Sequence, residues 1–138
     1  MRYLGIDYGQ KRIGLALSSV DEEVVTPYKT LKNSSRQKAI TEVVNIVKQE
    51  KVEAIVVGLP IGLQGEETLT TRQVRNFVAD LRKKVSIPIY LMDESYSSYE
   101  AESKLRELGM SSKKIKKIVD QVAAQDILIT YLRSRTHD

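Results

Sequence analysis

The sequence predicts an α/β fold, a mixed five-stranded sheet in which three antiparallel strands are followed by parallel crossovers, flanked by helices. Three observations predict it. Residues 2–31 hold three short apolar runs divided by turn residues, with no helical spacing among them. From residue 34 onward, segments with apolar residues at helical spacing alternate with short runs rich in β-branched side chains. The chain has 138 residues, 41% hydrophobic and 29% charged, enough for one core and too few for two ordinary ones. One domain covering 1–138 is therefore expected, and no internal repeat or low-complexity linker divides it.

"RYLGIDYG" and "RIGLALSS" read as two strands joined by a tight turn around Gly9 and Gln10. "EVVTPYKTL" is the third, and Pro27 marks an edge or a bulge because it has no N–H for a ladder. The period then changes. Ile40, Val43, Val44 and Val47 predict a helix over 34–50, with Asn33 or Ser34 available as its cap. "EAIVVGLP" suits a strand buried on both faces. Val74, Phe77, Val78 and Leu81 mark a helix over 71–84, and "IPIYLMDE" is another buried strand. "SSYEAESKLRELG" predicts a helix in which Ser97 and Glu100 form a capping box and Gly109 is the stop. The basic segment "SSKKIKK" leads into a last helix from about Val119 to Leu132. Strands joined by short turns pair antiparallel, and strands joined through helices pair parallel with a right-handed crossover. This order is that of the ribonuclease H-like architecture, which hosts many unrelated functions and specifies none.

Composition narrows the classes. Lys plus Arg number 22 against 18 Asp plus Glu, a net +4 that mildly favours a polyanionic partner. Cysteine is absent, which removes any disulfide framework and suits a reducing, cytoplasmic location. No cationic segment followed by an apolar stretch opens the chain, and "AIVVGLPIGL" is short and broken by Gly58, Pro60 and Gly62, so no membrane association is expected.

The chemistry is expected from acids. Asp7 sits at the centre of an apolar run, where an unpaired carboxylate costs several kcal/mol. An acid pair, Asp93 and Glu94, closes the last strand, and alternation sends the two to opposite faces. Asp120 lies in the first turn of the last helix as read here. On a helical wheel it falls among Ala123, Ala124, Ile127 and Tyr131, the stripe that faces the sheet, while Asp126 projects elsewhere. Any one such acid is more often a cap, a turn residue or an ion-pair partner. Three on separate elements, delivered to the carboxyl edge of a parallel sheet, are harder to dismiss. Converging carboxylates repel and take up protons unless a divalent cation holds them, and hard oxygen donors suit Mg²⁺ or Mn²⁺. Two such ions clamp the attacking and leaving oxygens of a phosphodiester in metal-dependent nucleases.

Lys11 and Arg12 in the first turn, with Lys113, Lys114, Lys116 and Lys117 before Asp120, are the candidates for nucleic-acid phosphates. A charge run is as often a solvated face, and Arg12 has the alternative of pairing with an acid of the site. Tyr8, Tyr96 and Tyr99 are placed to stack on a base or simply to pack. The glycine-rich "GLPIGLQGEETLTTR" lacks the Gly-Lys-Ser/Thr of a phosphate-binding P-loop and is expected to be a flexible rim, with Gln64 or Glu66 as contacts. His137 is the single histidine, near the chain's end, which excludes a histidine triad.

Together, "GIDYGQKRIGLALS", "VVGLP", "YLMDES" and "IVDQVAAQDILITYL" resemble the YqgF/RuvX family over essentially the whole chain. The resemblance implies a ribonuclease H-like fold and an activity described either as Holliday-junction resolution or as maturation of the 5′ end of small-subunit (16S) ribosomal RNA. It also implies Asp7, Glu94 and Asp120 as the catalytic and metal-holding acids, so that Glu94 is favoured over Asp93. Departures bear on substrate. Ser95 stands where the family carries a basic residue, Gly62 and Gln64 stand where its loop holds Asn and Asp, and Ala123 occupies the place of a fourth acid found in related junction resolvases. The expectation is thus a nuclease acting on a structured RNA precursor or branched DNA, with RNA processing ahead and a ribosomal particle as partner. Trimming RNA needs only a monomer, whereas cutting a two-fold junction favours a symmetric homodimer. Two other classes compete: a non-catalytic RNA- or DNA-binding module of the same fold, and a sugar-kinase or actin-like ATPase, which needs a second domain to close on its nucleotide.

Overall fold

Side-chain alternation along one central strand divides the molecule into two layers. On β1 (Tyr3–Tyr8), Leu4, Ile6 and Tyr8 face one side of the sheet while Tyr3, Gly5 and Asp7 face the other. The computed structural model describes residues 1–94 and 105–135, apart from the side chains of Lys113, Lys116 and Lys117. The expected capping box of Ser97 and Glu100, and Tyr96, Tyr99 and His137, lie outside the described residues.

β1 pairs antiparallel with β2 (Arg12–Ser18), which pairs antiparallel with β3 (Val25–Lys32). On its other side β1 pairs parallel with β4 (Ala54–Pro60), and β4 with β5 (Ile89–Glu94), giving the order β3-β2-β1-β4-β5. The topology is the expected one. Pro27 fulfils both alternatives read for it: β3 is an edge strand, and its register slips by one residue beside Pro27.

Helices α1 (Arg36–Gln49) and α2 (Leu69–Arg82) cover one face. Ile40, Val43 and Ile46 of α1 and Val74, Phe77, Val78 and Leu81 of α2 pack with Leu4, Ile6, Ile13, Leu15, Ile55 and Val57 in the main core. Burying each such side chain contributes roughly 1.5–3 kcal/mol. Ser35, not Asn33 or Ser34, caps α1, accepting a hydrogen bond from the Lys38 N–H at 3.4 Å. The Asn33 side chain instead donates to the Gly9 carbonyl at 2.8 Å and ties β3's end to the β1–β2 turn. α2 begins two residues earlier than its apolar spacing indicates, because Thr68 and Thr71 form a reciprocal capping box.

Helix α3 (Ser112–Arg135) covers the other face. It starts about two turns before the expected Val119. Ser111 caps it through the Lys114 N–H, and Ile115 packs with Leu105, Val119 and Val122, so the basic segment is itself helical. Asp120 is consequently in the helix's third turn, not its first. Just before α3, Gly109 (φ +79°) and Met110 donate to the carbonyls of Arg106 and Leu105, a Schellman stop at the predicted glycine.

Candidate functional site

Gly14, Asp7 and Gly58 form a row across three adjacent strands. Asp7 pairs directly with Gly14 of β2, and on the other side Ile6 pairs with Val57, which brings Asp7 level with Gly58 of β4. A side chain is missing on either side of the acid, and other groups fill the space. A Cβ on Gly14 would overlap the backbone carbonyl of Asp120, so α3 rests directly on β2 at that point. A Cβ on Gly58 would lie 2.5 Å from Ile127 Cδ1 and 2.8 Å from Glu94 Oε2. A Cβ on Gly5, one pleat away on β1, would likewise lie 2.8 Å from the Ala124 carbonyl oxygen. Sequence reasoning missed this floor. Its signal was present, since glycine inside a β-branched run marks close approach of another backbone or a ligand.

Each acid reaches the row for a local reason. Asp7 points to the α3 side because Gly5 and Tyr3 do. Asp120 does so because it shares a helical stripe with Ala123, Ala124 and Ile127, all buried against the sheet. Glu94 shares its face of β5 with Met92, which packs beside Ile127, and with Tyr90, which stacks on Tyr131 of α3 at 5.4 Å. Asp93 points the opposite way and is exposed. The backbone of β5 is two strand spacings from β1, about 10 Å. The Glu94 side chain shortens that gap by reaching back over Gly58.

Electrostatics at the row are unbalanced. Burial above all, with the negative charge of Asp120 acting in the same direction, raises the Asp7 carboxyl from 3.8 to about 7. Asp120 itself accepts from Arg12, with Nε 2.7 Å from Oδ2; the guanidinium is half exposed and the carboxylate largely covered. Arg12 thus forms an ion pair with an acid of the site, and half of its side chain stays exposed. Among the described residues no three acidic or histidine side chains stand together as a closed ligand cluster. The set fits a hard divalent cation in donor chemistry, because all three groups are carboxylates on one face and the innermost lacks a compensating positive charge.

The remaining candidates divide. Lys11 is exposed in the β1–β2 turn, and Lys114 is exposed in the first turn of α3. The side chains of Lys113, Lys116 and Lys117 lie outside what is described. The glycine loop folds on itself: Gly62 accepts from Gly65 N–H and donates to the Glu66 carbonyl, and the Glu66 carboxylate accepts from Gln64 N–H at 3.0 Å. Glu66 thus braces the loop. No helix among the described residues is long and apolar enough to cross a membrane.

Comparison with known proteins bears on this arrangement. A "Putative pre-16S rRNA nuclease" of Maridesulfovibrio salexigens is 48% identical over 132 residues, 96% of this chain and 98% of that protein. A protein of the same name from Nitratidesulfovibrio vulgaris is 46% identical over 96% of this chain and 93% of its own length. The fold superimposes on Thermus thermophilus RuvC, solved in complex with a Holliday junction substrate, with a TM-score of 0.62 at 18% identity, covering 97% of this chain and 96% of that one. The family model described as "RuvX: Holliday junction resolvase" matches residues 1–134. The chain belongs to the RuvX family.

Proposed function

We propose that this chain is a metal-dependent nuclease that hydrolyses phosphodiesters of structured nucleic acid, with precursor 16S ribosomal RNA as its substrate. The observation that carries the reading is the Gly14–Asp7–Gly58 row, in which a buried acid is flanked by Asp120 over one glycine and Glu94 over the other. Asp7, Glu94 and Asp120 would hold the Mg²⁺ or Mn²⁺ ions. When bound, such ions supply a nucleophilic water at neutral pH and neutralise charge developing on the phosphate. The protein's own contribution is position. The glycines bring α3 and Glu94 to Asp7, and the ribose-phosphate strand would cross the β1–β2 turn, where Lys11 is free to meet a phosphate and Arg12 stands at the margin.

Two facts favour RNA processing over junction cutting. The relatives described above carry the ribosomal-RNA name. Ala123, fully buried, stands where a fourth acid is expected in junction resolvases and supplies no carboxylate. A second reading, a binding module without catalysis, draws on the Arg12–Asp120 ion pair and the unclosed acid cluster. Incubation with precursor 16S RNA and with a four-way DNA junction, in Mg²⁺ or Mn²⁺, separates the readings. Metal-dependent cleavage of the RNA, abolished in Asp7→Asn, is expected. Metal-indifferent binding with no cleavage of either substrate would establish the second reading.

A further inference from the structure

A second concavity opens at the same strand end as the acids, on the opposite face of β1. It has a volume of about 390 Å³ and is lined by Tyr8, Gln10, Asn33, Arg36 and Gln73. Tyr8 is the residue after Asp7, so only the β1 backbone separates the concavity from the row of acids. The lining is built from separate parts of the chain: β1, the β1–β2 turn, the segment before α1 with the first residue of that helix, and α2.

We infer that this basin seats the nucleotide next to the scissile phosphate, with Arg36 on its phosphate and the amides of Gln10 and Gln73 on the edge of its unpaired base. Charge supports the phosphate. The five lining side chains include one cation and no carboxylate. Arg36 is half exposed and its Nε pairs with Asp80 at 2.9 Å, which steadies the guanidinium at the rim; a guanidinium has five N–H donors, more than one carboxylate takes. Chemistry supports the base. Gln10 and Gln73 each offer a donor and an acceptor, the combination that reads the polar edge of a splayed-out base. They now meet each other at 3.4 Å, a long and solvent-exposed hydrogen bond that a base edge can replace at little cost. Asn33 spends its amide N–H on the Gly9 carbonyl, which holds the wall of the basin against the turn and leaves its oxygen as an acceptor. The Tyr8 ring is fixed against Phe77 at 4.4 Å and gives the basin a rigid aromatic floor.

The inference rests on the nuclease reading, because it identifies the occupant as the neighbour of the cleaved bond. Its test does not depend on cleavage. Full-length ¹⁵N-labelled protein is titrated with each of the four nucleoside 5′-monophosphates while side-chain amide signals are followed. The Gln10 and Gln73 signals are expected to shift, to different extents for different bases, and Arg36→Ala is expected to weaken binding about tenfold. Arg36 is charged and about half exposed, so the fold persists without its side chain. Gln10 and Gln73 signals that stay put, or an affinity indifferent to Arg36→Ala, would overturn the basin. Cleavage of precursor RNA is measured on the same samples: failure there with the shifts intact would count against the nuclease and not against the basin.

Discussion

Asp7→Asn should make this protein more stable while removing its activity, and the gain should depend on pH in a way set by the site. The carboxyl is raised from 3.8 to about 7 by burial, reinforced by Asp120. Below pH 4 both folded and unfolded chains hold the Asp7 proton, and the site costs nothing. Between about pH 4 and 7 the unfolded chain releases that proton while the folded chain keeps it. The folded state then binds more protons, so stability falls as pH rises, by up to about 1.4 kcal/mol per pH unit. Above pH 7 the loss levels off at about 4 kcal/mol. Asparagine has nearly the same shape and no charge, so its curve lacks this term. Any unmet amide hydrogen bond subtracts a pH-independent 1–3 kcal/mol or so. The assay is urea denaturation of both proteins from pH 4 to 8.5 in the presence of a chelator. The difference between the two curves should climb towards about 4 kcal/mol by pH 8. A difference that is flat across that range would refute the electrostatic account of Asp7.

Other substitutions separate architecture from chemistry. Gly14→Ala sets a methyl group against the Asp120 backbone carbonyl and should lower stability by 3 kcal/mol or so, read by denaturant midpoint, because a whole helix must move. Gly58→Ala meets only the mobile ends of Ile127 and Glu94, so its midpoint should change by roughly 1 kcal/mol or less while Mn²⁺ affinity, measured by calorimetry, drops about tenfold. Arg12→Ala breaks a half-exposed ion pair and should cost less than about 1 kcal/mol in thermal or chemical denaturation. Thr71→Val deprives the Pro60 carbonyl and the Thr68 N–H of a buried hydroxyl, and should destabilise by about 1–3 kcal/mol in the same assay.

Periodicity and turn chemistry are properties of neighbouring residues, and they determined much of this protein before any packing was known. Alternation in residues 2–31, the change to helical spacing at α1 and the β-branched runs of β4 and β5 settle the element order, and the order settles the sheet. Pro27 marked the edge and the bulge, and Gly109 marked a helix end, because each acts through its own backbone. The inward face of Asp120 was likewise readable from its stripe of alanines.

Tertiary structure decided whatever depends on residues far apart in sequence. Asn33, a cap candidate by sequence, is instead engaged with the Gly9 carbonyl, 24 residues earlier. The start of α3 depended on Ile115 finding Leu105 and Val122, against a local run of lysines that repel one another. Arg12 met Asp120, 108 residues on, at 2.7 Å only because the fold brought β2 under α3. The glycine row was the largest such gap. A glycine in a strand shows that something must come close, but only the folded sheet decides that α3 arrives over Gly14 and Glu94 over Gly58, because a missing side chain carries no record of its neighbour.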